Sequence, residues 1–280
     1  MTNLVHVAIV TDSTADFADA SPVALNLNVV PLTVNWGKDI LRDGVDIGAR
    51  ELYGRLRGDP TVPHTSAPPL GIFEDLYEDL LDTYDAVVSI HLSSRLSGTY
   101  DVAGTAARTV DPRRIHVVDS MSTSVGLGWL AARAAGLAAK DATPEAILGE
   151  VESLMPRIQL YLTLETLEYL RRGGRIGRAQ AFLGGLLNVK PILSLRAGEV
   201  LPVERVRARA SSIRRLAELA GDVSTAASVA IVHGDCPEEA ATLRESLSGG
   251  SSAIPLVETG AILATHTGPG LLGVGWIVGS

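Results

Sequence analysis

The sequence predicts an α/β protein, on three observations. Apolar β-branched runs alternate with helical patterns along residues 1–157. These strand-like runs end in clusters of Thr, Ser, Asp and Gly, the composition of turns and helix starts. Aromatic residues make up only 4% of the 280, so Gly, Ala, Leu and Val must supply the packing, as suits tightly layered helices and strands. Alternation of this kind implies a parallel sheet with helices on both faces. Residues 158–280 change character and read as a smaller, mixed α/β domain.

Residues 5–10 form the first predicted strand, followed by Thr11-Asp12-Ser13-Thr14, and 28–35 the second. Residues 47–57 have helical spacing at Ile47, Leu52 and Leu56, with Asp46 as the expected N-cap. Leu70–Leu81 is amphipathic, with Ile72, Phe73, Leu76, Leu80 and Leu81 on one face. A strand at 86–92, a loop at 93–99 and a helix at 100–110 make one unit, and a strand at 115–118 ending in Asp119-Ser120 follows. Residues 122–140 are helical, and Thr143-Pro144 starts another helix with proline at its favoured first position. In the second half, 159–163 is a strand and 164–170 and 179–187 are helices. Residues 191–195 and 199–206 form a hairpin turning at Ala197-Gly198. Residues 228–233, 254–258, 261–265 and 274–278 read as strands and 237–247 as a helix.

Hydrophobic residues at 46% and charged residues at 20% suit a globular chain with a sizeable core. The net charge of −8 argues against nucleic acid or anionic membrane as a general partner. A single cysteine, Cys236, excludes an intrachain disulfide framework and fits a reducing compartment. Residues 1–4 carry no basic group, so no signal peptide is expected. The longest apolar stretch, 125–139, is broken by Arg133 and falls short of the roughly 18 residues a membrane span needs. The expected location is the cytoplasm.

In an open parallel sheet, ligands bind beyond the carboxyl ends of the strands. Thr11-Asp12-Ser13-Thr14, the 93–99 loop and Asp119-Ser120 fall there, and Thr65-Ser66 lies in a proline-rich loop before a helix. Hydroxyls, glycine N–H groups and helix starts all favour a bound anion. The same residues also serve as plain N-caps, and Asp12 and Asp119 equally suit bracing of their loops. There is no phosphate-binding P-loop, no G-x-S-x-G and no zinc-spaced His/Cys cluster, so no ATP site, metal or cofactor is expected. Gly268-Pro269-Gly270-Leu271-Leu272-Gly273 spells G-x-G-x-x-G but does not open a long helix in a β-α-β unit. His266, in a glycine-rich turn after an apolar run, reads either as a structural histidine or as a donor gripping an anion. Arginines cluster at 171–178 and again at 205–215, either as solvated helix ends or as a contact surface for anions.

The ordered set Thr11-Asp12-Ser13-Thr14, Val30-Pro31-Leu32, Thr65-Ser66-Ala67-Pro68, His91-Leu92-Ser93-Ser94, Leu96-Ser97-Gly98-Thr99, Val118-Asp119-Ser120, Gly174-Arg175-Ile176, Lys190-Pro191-Ile192 and His266-Thr267-Gly268-Pro269-Gly270 resembles the DegV family of bacterial fatty-acid-binding proteins. The resemblance covers essentially the whole chain. It implies two α/β domains, residues 1–157 and 158–280, with a long-chain fatty acid buried between them. It also implies that the chain is no enzyme itself: it presents the acid to a separate fatty acid kinase catalytic subunit, which makes acyl phosphate for phospholipid synthesis. By position, Thr65, Ser97 and His266 match the groups that hold the carboxylate, supported by Ser66, Ser94, Gly98, Thr99 and Thr267. Arg175 and Arg207 match arginines that contact phosphate or the partner. The family's usual T-S-Q-P reads Thr65-Ser66-Ala67-Pro68, and Arg95 stands where glycine or lysine is common; neither change removes a carboxylate hydroxyl. Phe182, Leu183, Leu186, Leu187, Ile192 and Leu193 are the expected walls of the acyl site. Burial is worth about 0.8 kcal/mol per methylene, so roughly a dozen give on the order of 10 kcal/mol before binding costs. Two other classes remain open: an enzyme acting on an acyl ester or phosphate through Ser97 and His266, or a binder of another small anion.

Overall fold

The computed structural model describes residues 5–18, 21–183, 189–248 and 254–279. The first half holds β1 (Val7–Asp12), β2 (Leu27–Val30), β3 (Thr33–Trp36), β4 (Asp39–Arg42), α1 (Ala49–Gly58), β5 (His64–Ser66), α2 (Leu70–Leu81), β6 (Ala86–His91), α3 (Thr99–Val110), β7 (Ile115–Asp119), α4 (Ser124–Ala138) and α5 (Pro144–Leu154). The second holds β8 (Ile158–Thr163), α6 (Glu168–Arg172), a 3-10 stretch at Gly177–Phe182, β9 (Val189–Arg196), β10 (Glu199–Arg207), α7 (Arg209–Ala220), β11 (Ser228–Gly234), α8 (Pro237–Ser248), β12 (Leu256–Glu258), α9 (Ala261–Thr267) and β13 (Leu271–Ile277).

Three sheets result among the described residues. The order β2-β1-β6-β7 is parallel throughout, as the alternating pattern predicts. A small antiparallel sheet, β4-β3-β5, sits beside it. Every described strand after residue 157 joins one six-stranded sheet, β10-β9-β8-β13-β11-β12, antiparallel except for the last pair. The largest apolar cluster ignores this division. It joins Leu32, Leu92 and Leu130 of the first half to Leu164, Leu193 and Val232 of the second.

Several local expectations are corrected. The run 28–35 is two strands in two different sheets, because Pro31 lacks the N–H a continuous ladder would need. Asp46 does not cap α1; it closes back on Arg42 as a bidentate pair, and the helix starts after Gly48. The basic run beyond Arg209 is a helix, α7, with Ile213, Leu216 and Ala220 on its buried face. On α2 the buried residues are Phe73, Tyr77 and Leu80, while Ile72 is exposed. The predicted helix at 179–187 is a 3-10 stretch up to Phe182, and residues 184–188 lie outside the described residues.

The correction that matters most for the site concerns 261–265, which is not a strand but part of α9. Gly260 offers no side chain to cap this helix. Carboxylates from the first half take its orphan donors instead: Gly260 N donates to Asp16 Oδ1 at 3.1 Å and Ala261 N to Asp43 Oδ1 at 2.9 Å. Burial pushes both carboxyls up, Asp16 to about 7 and Asp43 to about 6, against the lowering effect of these hydrogen bonds.

Candidate functional site: an apolar cavity with a polar cluster

Between the sheets lies a cavity of about 990 Å³, mouth included. Its walls are almost wholly aliphatic and come from both halves: Leu92 and Leu96 after β6, Leu160 and Val274 on the six-stranded sheet, Ile262 and Leu263 on α9. Thr65, Ser97, Arg175, His266 and Thr267 line the same cavity, as do Thr123, Ser124 and Thr259 near the start of α9.

These polar groups are built by separate elements. Thr65 sits on β5, paired opposite Val34, and its Oγ1 lies 2.8 Å from Nε2 of His266. His266 occupies the last turn of α9 and is 9% exposed. Burial, together with the nearby Arg175 and His64, pushes its pKa down to about 4, so the ring is neutral at pH 7. Ser97 Oγ lies 3.0 Å from Thr99 Oγ1, and the Thr99 amide points at it from 3.4 Å. The loop carrying Ser97 is fastened to the second half. Ser93 Oγ donates to Gly198 O at 2.9 Å, in the β9–β10 turn, and Arg95 pairs with Glu199 beside it. Arg175 donates through Nε to Leu96 O (3.0 Å) and through Nη1 to Gly173 O (2.7 Å), with Nη2 as the rest of its fork. A fixed cation, the Thr65 and Ser97 hydroxyls and a neutral imidazole lining an otherwise mostly aliphatic cavity suit a single carboxylate with an apolar tail.

The structure thus brings Thr65, Ser97, His266, Thr267 and Arg175 together. The supporting residues are placed differently. Thr99 is fully buried behind Ser97, Ser94 donates its N–H to Asp119 Oδ1 at 3.2 Å, and Gly98 is exposed at the start of α3. Ser66 faces away from the cavity, exposed, and accepts from Asn35 Nδ2 at 2.8 Å. Arg207 is exposed at the end of β10 and does not line the cavity. Asp12 and Asp119 brace loops: Asp119 Oδ1 accepts the amides of Ser94 and Met121, and Asp12 is fully buried.

The expected walls are largely corrected. Phe182 stacks under Arg205, its ring centroid 4.9 Å from the guanidinium, and Leu183 is exposed. Ile192 faces the opposite side of the sheet, against Ile213 and Leu216 of α7, and Leu193 packs in the core without lining the cavity. Leu186 and Leu187 lie outside the described residues. The walls that sequence reasoning missed sit on α9, β8 and β13, where the signal was a set of short apolar runs with no periodicity to orient them.

The DegV family model, described as an uncharacterised protein family, matches residues 6–279. The chain belongs to the DegV family. Protein DegV of Bacillus subtilis is 35% identical over 277 residues, covering 97% of this chain and 99% of that one. A DegV domain-containing protein of Streptomyces coelicolor is 40% identical over 275 residues, covering 96% and 97%. Among solved DegV structures, one described as fatty acid binding of a DegV family protein from Thermus thermophilus superposes with a TM-score of 0.89 at 35% identity, covering 98% of this chain and 99% of that one. Bacillus subtilis DegV, described as a fatty acid binding protein, gives 0.87 at 35% identity with the same coverage. A stearic acid-binding protein from Eubacterium ventriosum gives 0.87 at 26% identity, covering 97% and 98%. Among the described residues no helix is long and apolar enough to cross a membrane, and no group of three or more His, Cys, Asp or Glu side chains is placed to hold a metal ion.

Proposed function

We propose that this DegV protein binds a long-chain fatty acid in the interdomain cavity, with the carboxylate held by Thr65, Ser97 and His266. The observation that carries the proposal is one cavity, lined mostly by aliphatic side chains, into which Thr65, Ser97, Arg175 and His266 also open. Arg175, fixed on Leu96 O and Gly173 O, supplies the positive charge that offsets burial of the carboxylate. Residues 1–157 and 158–280 are the two domains that close on the acyl chain. The DegV relatives described as fatty acid binding support this reading.

The chain acts in the cytoplasm as a donor subunit without catalysis of its own. A separate kinase, which supplies the nucleotide and metal that phosphoryl transfer requires, converts the bound acid to acyl phosphate. Exposed Arg207 is the partner contact in this scheme. An esterase or phosphatase reading fares worse, because Ser97 Oγ is hydrogen-bonded to Thr99 and His266 Nε2 to Thr65, not to each other as a nucleophile and its base would be. A small polar anion would leave the aliphatic wall unused.

Native mass spectrometry of the purified protein, before and after incubation with oleate, tests the proposal. A mass increment of one fatty acid is expected. Its absence in both samples overturns the reading.

A further inference from the structure

Gly173 closes α6 with φ −74° and ψ −8°, a helical conformation open to any residue, unlike the next residue, Gly174, at φ 71°. No backbone requirement therefore explains a glycine here. What faces its Cα is the imidazole of His266. A Cβ at Gly173 would lie 2.8 Å from His266 Cε1, closer still to Nδ1, and 3.2 Å from Tyr169 O. Carbon atoms in good contact stand about 3.5–4.0 Å apart, so the ring and a methyl group cannot share this space.

The ring has no retreat. Its Nε2 is bound to Thr65 at 2.8 Å, and Nδ1, the nitrogen facing Gly173, has no hydrogen-bond partner among the described residues. The turn after His266 is fixed by Gly268 N donating to Ala264 O at 2.8 Å, and Gly268 itself lies against the Tyr169 ring with no room for a Cβ. Gly173 cannot recede either, since Arg175 Nη1 holds its carbonyl at 2.7 Å.

We propose that Gly173 is a positioning residue of the carboxylate site: its missing side chain seats the His266 imidazole so that Nε2 reaches Thr65 and the cavity. The inference rests on reading the cavity as a carboxylate site. A residue that favours helix over glycine should be harmless or stabilising at this position on backbone grounds alone. Any loss on substitution therefore reports the imidazole.

The test is a double-mutant cycle with Gly173→Ala and His266→Ala, read by oleate affinity and by NMR titration of the His266 ring. Gly173→Ala alone is expected to weaken oleate binding about tenfold or more, and to add no further loss in the His266→Ala background. Its His266 ring is expected to titrate closer to an ordinary histidine, because the displaced imidazole regains water. An unchanged ring titration in Gly173→Ala, or an equal loss of affinity with and without His266, overturns the proposal. Should Gly173→Ala fail to fold, the double variant, which removes the clash, must recover folding; if it does not, the proposal is also overturned. A wild-type protein that binds no fatty acid refutes the assigned ligand, while the ring titration still judges the seat.

Discussion

Oδ2 of Asp12 lies 3.0 Å from Nδ1 of His91, and both side chains are shut off from solvent. The pair stands in the middle of a buried chain. His91 Nε2 meets Ser89 Oγ at 2.7 Å, Tyr77 donates its hydroxyl to the same oxygen, and Asp12 accepts the amides of Thr14 and Leu92. This ties the ends of β1 and β6 to α2 directly beneath the loop that carries Ser97. Removing one member of a buried polar pair strands the other, so His91→Ala should cost about 3–5 kcal/mol of stability. Asp12→Asn, which keeps one acceptor oxygen, should cost less. Urea denaturation measures both.

Where Thr65, Ser97 and His266 line the cavity, hydrogen bonds to a charged group contribute roughly 1.5–3 kcal/mol each. Thr65→Val and Ser97→Ala should therefore each weaken oleate binding about 10- to 100-fold. Isothermal titration calorimetry reads the change, and an unaltered Kd for both variants would place the carboxylate elsewhere.

His266 carries a pH signature. Its folded pKa of about 4 lies below the ordinary 6.5, so between these values the unfolded chain binds more protons. The stabilisation is full above 6.5 and is lost as pH falls through 4. The urea midpoint should drop across that window, and less so in His266→Gln. A bound carboxylate favours the imidazolium, so NMR should show the ring titrating at higher pH in the oleate complex than in the free protein.

Asp16 works in the opposite direction. Its folded pKa of about 7 exceeds the ordinary 3.8, so the folded state holds the extra proton and loses stability as pH rises through that range. The stability of Asp16→Asn relative to wild type should improve steadily from pH 4 to pH 8. A difference independent of pH would mean that the carboxyl is already ionised in the fold.

The β9–β10 turn has Ala197 at φ 48° and Gly198 at φ 79°, the left-handed pair of a tight hairpin. Ala197→Gly relieves the first position, and Ala197→Asn should raise stability by about 0.5–1 kcal/mol. Gly198→Ala should lower it, because a Cβ there would run into Ser93, whose Oγ holds the same turn. Thermal denaturation separates the two.

Much of this was legible in the residues, and the failures share a cause. Leu70–Leu81 fixes its own boundaries because twelve residues carry helical periodicity and stop at Asp82. Ala197-Gly198 announced its turn. By contrast, Ala-Ile-Leu-Ala-Thr at 261–265 has no period to distinguish helix from strand. Its helical state depends on Asp16 and Asp43, over two hundred residues away. The ordered motifs name Thr65, Ser97, Arg175 and His266 of the cavity lining, but not its apolar wall, since Ile192 and Leu193 look alike in sequence and face opposite sides of a sheet. The Asp12–His91 chain left one sign: Ser89 and His91, two apart on an otherwise apolar buried strand.

The principal apolar cluster spans both domains, and the cavity is set among its members. A fatty acid there would occupy space that, in most proteins, side chains fill. Occupancy and folding would then be one equilibrium, with a saturating ligand at a hundred times its Kd adding about 2.7 kcal/mol. Resistance to proteases would rise and fall with lipid supply, making the abundance of the protein a gauge of free acid without any dedicated sensor.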